Sequence, residues 1–159
     1  MDIRKPSRIR HSYTQQIIAS PEQVFPLLCP VREADWVPGW TTGMVLSESG
    51  TAEQGCIFTT PDDDKEAIWI ITRYDLDNTE VEMYKVAPGK TLGHIEIKVR
   101  ADEDDFSTVE IAYTFTALGE SGEAFLKTFT QSWFDSFMQT WQAAMNHYLA
   151  TGECVAVKI

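Results

Sequence analysis

The side chains able to do chemistry in this chain are few and scattered. The Gly-x-Ser-x-Gly turn that exposes a nucleophilic serine does not occur. Cys29 and Cys56 have no recognisable partner histidine, and with Cys154 they form no C-x-x-C pair. Free thiols are expected, rather than zinc or dithiol chemistry. His94 alternates onto a polar strand face, His147 falls at the edge of a helical arc, and His11 shares parity with Tyr13, which suits either an inward-facing candidate base or a tolerated strand residue. Three such histidines make no metal set, and no metal or cofactor is expected.

Acid–base chemistry has more to work with. A cyclase- or hydratase-like site needs an acid or base held in an apolar pocket, where burial moves its pKa toward neutrality. Asp35 stands beside Trp36, with Arg32 and Glu33 close by. All three also suit the wet face of a short helix. Arg73 shares parity with Trp69 and Ile71, as the one charge on that strand face. It either pairs with an anionic ligand or lies on the surface. Tyr113, among apolar neighbours, completes the set of catalytic candidates: Asp35, Arg73 and Tyr113.

These residues need elements to carry them. At 159 residues, 43% hydrophobic and 23% charged, the chain is expected to form one globular domain, residues 9–159, behind a basic arm, residues 1–8. A net charge of −11 argues against nucleic acid and anionic membrane as partners, since both are polyanions. The apolar h-region of a signal peptide and any run of about 18 apolar residues are lacking, so a cytoplasmic location without stable membrane insertion is expected. Two acidic runs, Asp62–Asp64 and Asp102–Asp105, lack calcium-loop spacing and read as solvated turns.

Seven strands are legible, near Ile9–Ile18, Gly43–Ser49, Cys56–Thr60, Glu66–Asp75, Glu80–Val86, Gly93–Arg100 and Thr108–Thr116. The last two alternate most cleanly, apolar in and polar out, as in a sheet with one wet face. After the first strand, Ser20-Pro21-Glu22-Gln23 has the form of a capping box opening a short helix that Pro26 distorts. Arg32–Val37 suits a second short helix, ended by Pro38-Gly39. One long helix is predicted over Gly122–Ala150, stopped by Gly152, with an apolar arc of roughly 200°, wider than an ordinary surface stripe. Thr130 falls inside that arc, bonding a ligand or back to the Leu126 carbonyl. The Ile68–Tyr74 strand is apolar on both faces, so a loop, a helix or a second subunit should cover its outer side, and a homodimer is expected.

Two local patterns, Ser20-Pro21-Glu22-Gln23-Val24-Phe25 and Trp36-Val37-Pro38-Gly39-Trp40, are similar to the first-helix and helix-pair motifs of the START-like or Bet v 1-like superfamily. This superfamily includes polyketide cyclases, lipid-transfer proteins and Hsp90-activator homologues. The resemblance implies an α+β helix-grip fold: a curved seven-stranded antiparallel sheet wrapped around a long C-terminal helix, with two short helices after the first strand. It also implies a cavity between sheet and helix, lined by Trp36, Trp40, Trp69, Tyr113, Phe115, Trp133, Phe137 and Trp141. An aromatic stripe at helical spacing equally suits a solid core. Three functions follow: a carrier or sensor of a small hydrophobic ligand (lipid, polyketide or aromatic metabolite), a cyclase, dehydratase or hydrolase, and an Hsp90-activator-like or stress-response interaction module.

Overall fold

Turn residues cut the chain into its strands. In the computed structural model, which describes residues 1–156, the segments around Asp77-Asn78, Pro88-Gly89 and Asp102–Asp105 each close a hairpin. The strands are β1 (Arg8–Ile17), β2 (Val45–Leu46), β3 (Ile57–Asp62), β4 (Lys65–Asp75), β5 (Glu80–Ala87), β6 (Thr91–Ala101) and β7 (Ser107–Ala117). They form one antiparallel sheet in the order β1-β7-β6-β5-β4-β3-β2, so β2 to β7 make a meander and β1 closes it against β7. The second acidic run and Asp63–Asp64 lie in turns, where Asp63, Asp104 and Asp105 take the positive φ that aspartate tolerates, whereas Asp62 ends β3 and pairs with Lys85 and Lys90 instead of being a solvated turn residue. The predicted alternation holds: Ile95, Ile97, Val99, Val109 and Ile111 are buried on the concave face.

One strand breaks its own pattern. The β4–β5 pairing shifts register between Ile71 and Arg73. An extra residue in one strand inverts the alternation beyond it. Tyr74 therefore turns inward and stacks on Phe25, with ring centroids 4.9 Å apart. Arg73 turns outward to Asp75 and Glu80, each at 2.9 Å. This corrects the reading of Arg73 as the charge on the Trp69 face. Ile68 and Ile70 remain 46% and 37% exposed on the convex face of the single chain.

The helices are α1 (Pro21–Val24), α2 (Glu33–Trp36), α3 (Glu120–Thr128) and α4 (Gln131–Thr151), and Pro26 sits in a 3-10 turn, Phe25–Leu27, directly after α1. The Gln23 side chain accepts the Ser20 N–H, as the capping-box pattern predicts. The single long helix is in fact two. Phe129 leaves helical geometry at ψ 71 and Thr130 is extended at ψ 160. The Thr130 hydroxyl accepts the Trp133 N–H at 3.1 Å and so caps α4, instead of bonding back to Leu126. The break frees the Phe129 carbonyl, which lies 2.8 Å from His11 Nε2. His11 thus faces inward, as its parity predicts, and holds the joint between the helices.

Helix α4 is laced to the edge of the sheet rather than laid over its middle. Gln15 donates to the Met138 carbonyl at 2.8 Å, the Gln16 N–H to Gln142 at 3.1 Å, and the Ile18 N–H to Asn146 at 2.9 Å. Asn146 returns a bond to the Gln16 carbonyl at 3.1 Å. Helix α3 packs on β7. Its first turn sits so close to the β5–β6 hairpin that a Cβ at Gly122 would lie 1.9 Å from the Lys90 carbonyl oxygen. Gly122→Ala is expected to destabilise the fold by roughly 1–3 kcal/mol, the usual cost of overpacking. Urea denaturation checks this, and an unchanged midpoint would show that the contact relaxes freely.

Candidate functional site

Because α4 is fastened along β1, the concave face of β3 to β7 is roofed at a distance, and a cavity of about 400 Å³ remains. The sheet contributes Phe58, Trp69, Met83, Ile95, Tyr113 and Phe115; α3 adds Phe125, and α4 adds Trp133, Phe137 and Trp141. Trp40, after α2, closes one end. The rings are held in place by the protein. Trp69 Nε1 donates to Thr60 at 2.9 Å and Trp40 Nε1 to the Pro30 carbonyl at 2.8 Å, so their polar edges are satisfied away from any guest. Phe58 stacks on Trp69, and Phe137 on Trp133, each pair with centroids 5.3 Å apart. The absence of a side chain at Gly93 leaves room for the Phe115 ring, which a Cβ there would approach to 2.7 Å.

Seven of the eight ring residues singled out in the sequence border this space: Trp40, Trp69, Tyr113, Phe115, Trp133, Phe137 and Trp141. Trp133 stands at the rim, 49% exposed. Trp36 does not border it. That ring is fully buried behind the wall, edge-on to Trp141 at 5.1 Å, with Nε1 donating to the Leu27 carbonyl at 3.0 Å.

The acid–base candidates are rearranged. Asp35 is exposed and paired with Arg32 at 2.7 Å, outside the cavity. Glu33 lies inside it, 8% exposed. In a one-turn helix, residues two apart face opposite sides while residues three apart share a side. Glu33 therefore follows Trp36 inward and Asp35 points out. That spacing was the available signal for Glu33. Burial pushes its carboxyl up to about 8, so it is mostly protonated at pH 7. Tyr113 faces the same cavity, and burial first, then the nearby Glu33, raise its phenol above the usual tyrosine range.

Lys85 also borders the cavity, and its parity with Val81 and Met83 on β5 is the sequence signal that marks it. Its Nζ lies 5.3 Å from the centre of the Trp69 ring and 3.6 Å from Asp62. Burial lowers its proton affinity, with Asp62 acting the other way. The cavity thus joins aromatic walls to a neutral acid, a phenol and an amine. Among the described residues, no group of three or more His, Cys, Asp or Glu is placed to hold a metal, and no helix is long and apolar enough to cross a membrane.

No protein-family profile and no curated protein matches the chain. Solved structures do. Norcoclaurine synthase from Thalictrum flavum, in complex with dopamine and hydroxybenzaldehyde, is 12% identical over 96% of this chain and 91% of its own, with a TM-score of 0.67. Ara h 8.0201 is 14% identical over 91% and 99%, with a TM-score of 0.60. DynU16, from the dynemicin biosynthetic locus, is 16% identical over 91% of this chain and 48% of its own, at 0.57. At such identities the likeness is one of fold. That fold is the helix grip of the START-like and Bet v 1-like proteins, as the two local motifs predict.

The Glu33 carboxyl has a consequence for stability. Its folded-state pKa, about 8, stands above the ordinary 4.5. The folded chain keeps a proton that the unfolded chain releases, so this group costs stability progressively as pH rises between those values. Glu33→Gln is expected to remove that loss. The two proteins should melt alike near pH 4.5, and the variant should melt on the order of 10 °C higher at pH 8.5. Melting temperatures that run parallel across this range would mean that Glu33 is ionised in the folded state.

Proposed function

We propose that this chain binds one small, planar, mostly apolar molecule in the cavity, as a carrier or sensor. The supporting observation is the hollow itself: about 400 Å³, walled largely by aromatic rings, of which Trp69 and Trp40 have their indole N–H groups already bonded to the protein. This volume falls in the range of small-molecule sites, roughly 300–1,000 Å³. Burying ~350 Å² of ring surface gives about 9 kcal/mol before costs. Lost translation and rotation take back at least about 4 kcal/mol, which leaves affinities on the order of 0.2 mM or weaker for an unoptimised guest. A fold-mate solved with dopamine and hydroxybenzaldehyde supports aromatic guests over long acyl chains.

A second reading, proton-transfer catalysis in the same cavity, is favoured by Glu33 and Tyr113. A carboxyl that titrates near 8 is poised between acid and base at working pH. Its polar partners, Tyr113 and Lys85, sit on other walls of the same space. The catalyst reading adds a reacting guest to the carrier reading, and both need the cavity to fill.

All five tryptophans of the chain are Trp36, Trp40, Trp69, Trp133 and Trp141, and four of them border the cavity. Titration with 2-anthracenemethanol, a neutral ring compound that accepts energy from indole, is expected to quench tryptophan emission saturably at one molecule per chain. Met83→Trp, which places an indole in the space, is expected to weaken that binding at least tenfold. Linear, non-saturating quenching in the wild-type protein would count against the binding reading.

A further inference from the structure

Lys85 is the side chain that the apolar-guest reading leaves unused. It is the one basic residue on the cavity wall among the described residues. Its one close anionic partner engages it at long range: the nearest carboxylate oxygen, on Asp62, lies 3.6 Å away, which leaves ammonium protons for a guest. Asp62 is itself drawn toward Lys90, at 3.3 Å, and Lys90 holds Asp63 at 2.8 Å. The local charges are two and two, so an anion beside Lys85 would meet an ammonium only loosely engaged by its own neighbours. The ammonium is held over the Trp69 ring, 5.3 Å from its centre, where a planar guest would lie between it and the opposite rings.

The opposite polar group is of another kind. Glu33 and Tyr113 present hydrogen-bond donors rather than charge, since burial keeps both groups protonated. They want an acceptor. Strand register fixes how far apart Lys85 and Tyr113 are rooted in the sheet. Lys85 pairs with Gly93, Gly93 with Phe115, and Tyr113 lies two residues from Phe115 on β7. Two strand spacings across and two residues along put the Lys85 and Tyr113 Cα atoms about 12 Å apart. A fused-ring body with a substituent at each end is of that order of size.

We infer that the guest is a planar aromatic anion, its carboxylate or phenolate on Lys85 and a neutral acceptor, such as a carbonyl or ether oxygen, turned toward Glu33 and Tyr113. This rests on the binding reading above and narrows it to a chemical class. It also sets an order of preference. An anion pays more than an alcohol to leave water, so an anion binding better than its neutral analogue requires a counter-charge inside the cavity.

Three probes of one shape separate the terms: anthracene-2-carboxylate, 2-anthracenemethanol and 2-anthracenylmethylammonium, each titrated at pH 7 against tryptophan emission. On the wild-type protein the carboxylate is expected to bind at least fivefold tighter than the alcohol, with the ammonium weakest. In Lys85→Met the ratio of carboxylate to alcohol affinity should fall to about one or below, and Lys85→Arg should keep it above one. A wild-type protein that prefers the alcohol or the ammonium, or a carboxylate preference that survives Lys85→Met, would overturn the inference while the binding reading stands. If none of the three probes saturates, both fall. The wild-type ranking decides the matter even where a variant fails to fold.

Discussion

The edge strand β1 has a row of backbone groups with no strand beside it, and the way they are satisfied governs the rest of the molecule. Helix α4 supplies the partners: Gln142 and Asn146 reach the β1 backbone, and Gln15 reaches back to the Met138 carbonyl. An unpaired edge is otherwise an invitation to pair with another chain. Lacing a helix there blunts the edge, and it also fixes where the helix lies. With α4 held along β1, its apolar arc faces a concave sheet across a gap lined largely by aromatic side chains. His11, two strand positions before Tyr13, takes hold of the Phe129 carbonyl at the joint between α3 and α4 and so sets the direction in which α4 departs.

The gap is chemically sparse, and its sparseness gives it meaning. Most of the charge on this acidic chain is outside, in pairs such as Arg32–Asp35 and Arg73–Glu80. Surface pairs of that kind are worth little in stability. Three ionisable groups are kept within the cavity instead, where each is costly to charge: Glu33, Lys85 and Tyr113. Burial raises the first and third and lowers the second, so all three move toward their neutral forms. A site of this type discriminates among guests by what they can offer each group.

The sheet was largely legible because its signals are local. Turn residues and period-2 alternation mark strands without reference to anything distant, and six of the seven strands fall close to where those signals place them; the second, read as Gly43–Ser49, shrinks to the two residues Val45–Leu46. Failures came where tertiary structure overrides a local pattern. Nothing in Ile68–Tyr74 announces the bulge that exchanges Arg73 for Tyr74 on the inner face. The break at Phe129–Thr130 sits inside an unbroken apolar periodicity, and threonine reads as a cap only once its ψ is known. The choice between Asp35 and Glu33 turned on the phase of a four-residue helix, too short for a pattern to settle; the i,i+3 spacing of Glu33 and Trp36 selects the right one when Trp36 is taken as buried. The cavity's aromatic lining was visible as a list of rings, but whether they fill the space or frame it depends on the edge-bound seat of α4, which no stretch of sequence encodes alone.

The hollow is therefore the claim to test, and heavy-atom crystallography reaches it without depending on any functional assay. A crystal soaked in 2-iodonaphthalene should show an anomalous iodine peak inside the space bounded by Trp69, Tyr113 and Phe137, with those rings standing as described. A map with no iodine there, and with the Trp69 and Phe137 rings packed against each other, would mean that the interior is solid and that the fold carries no site at this place.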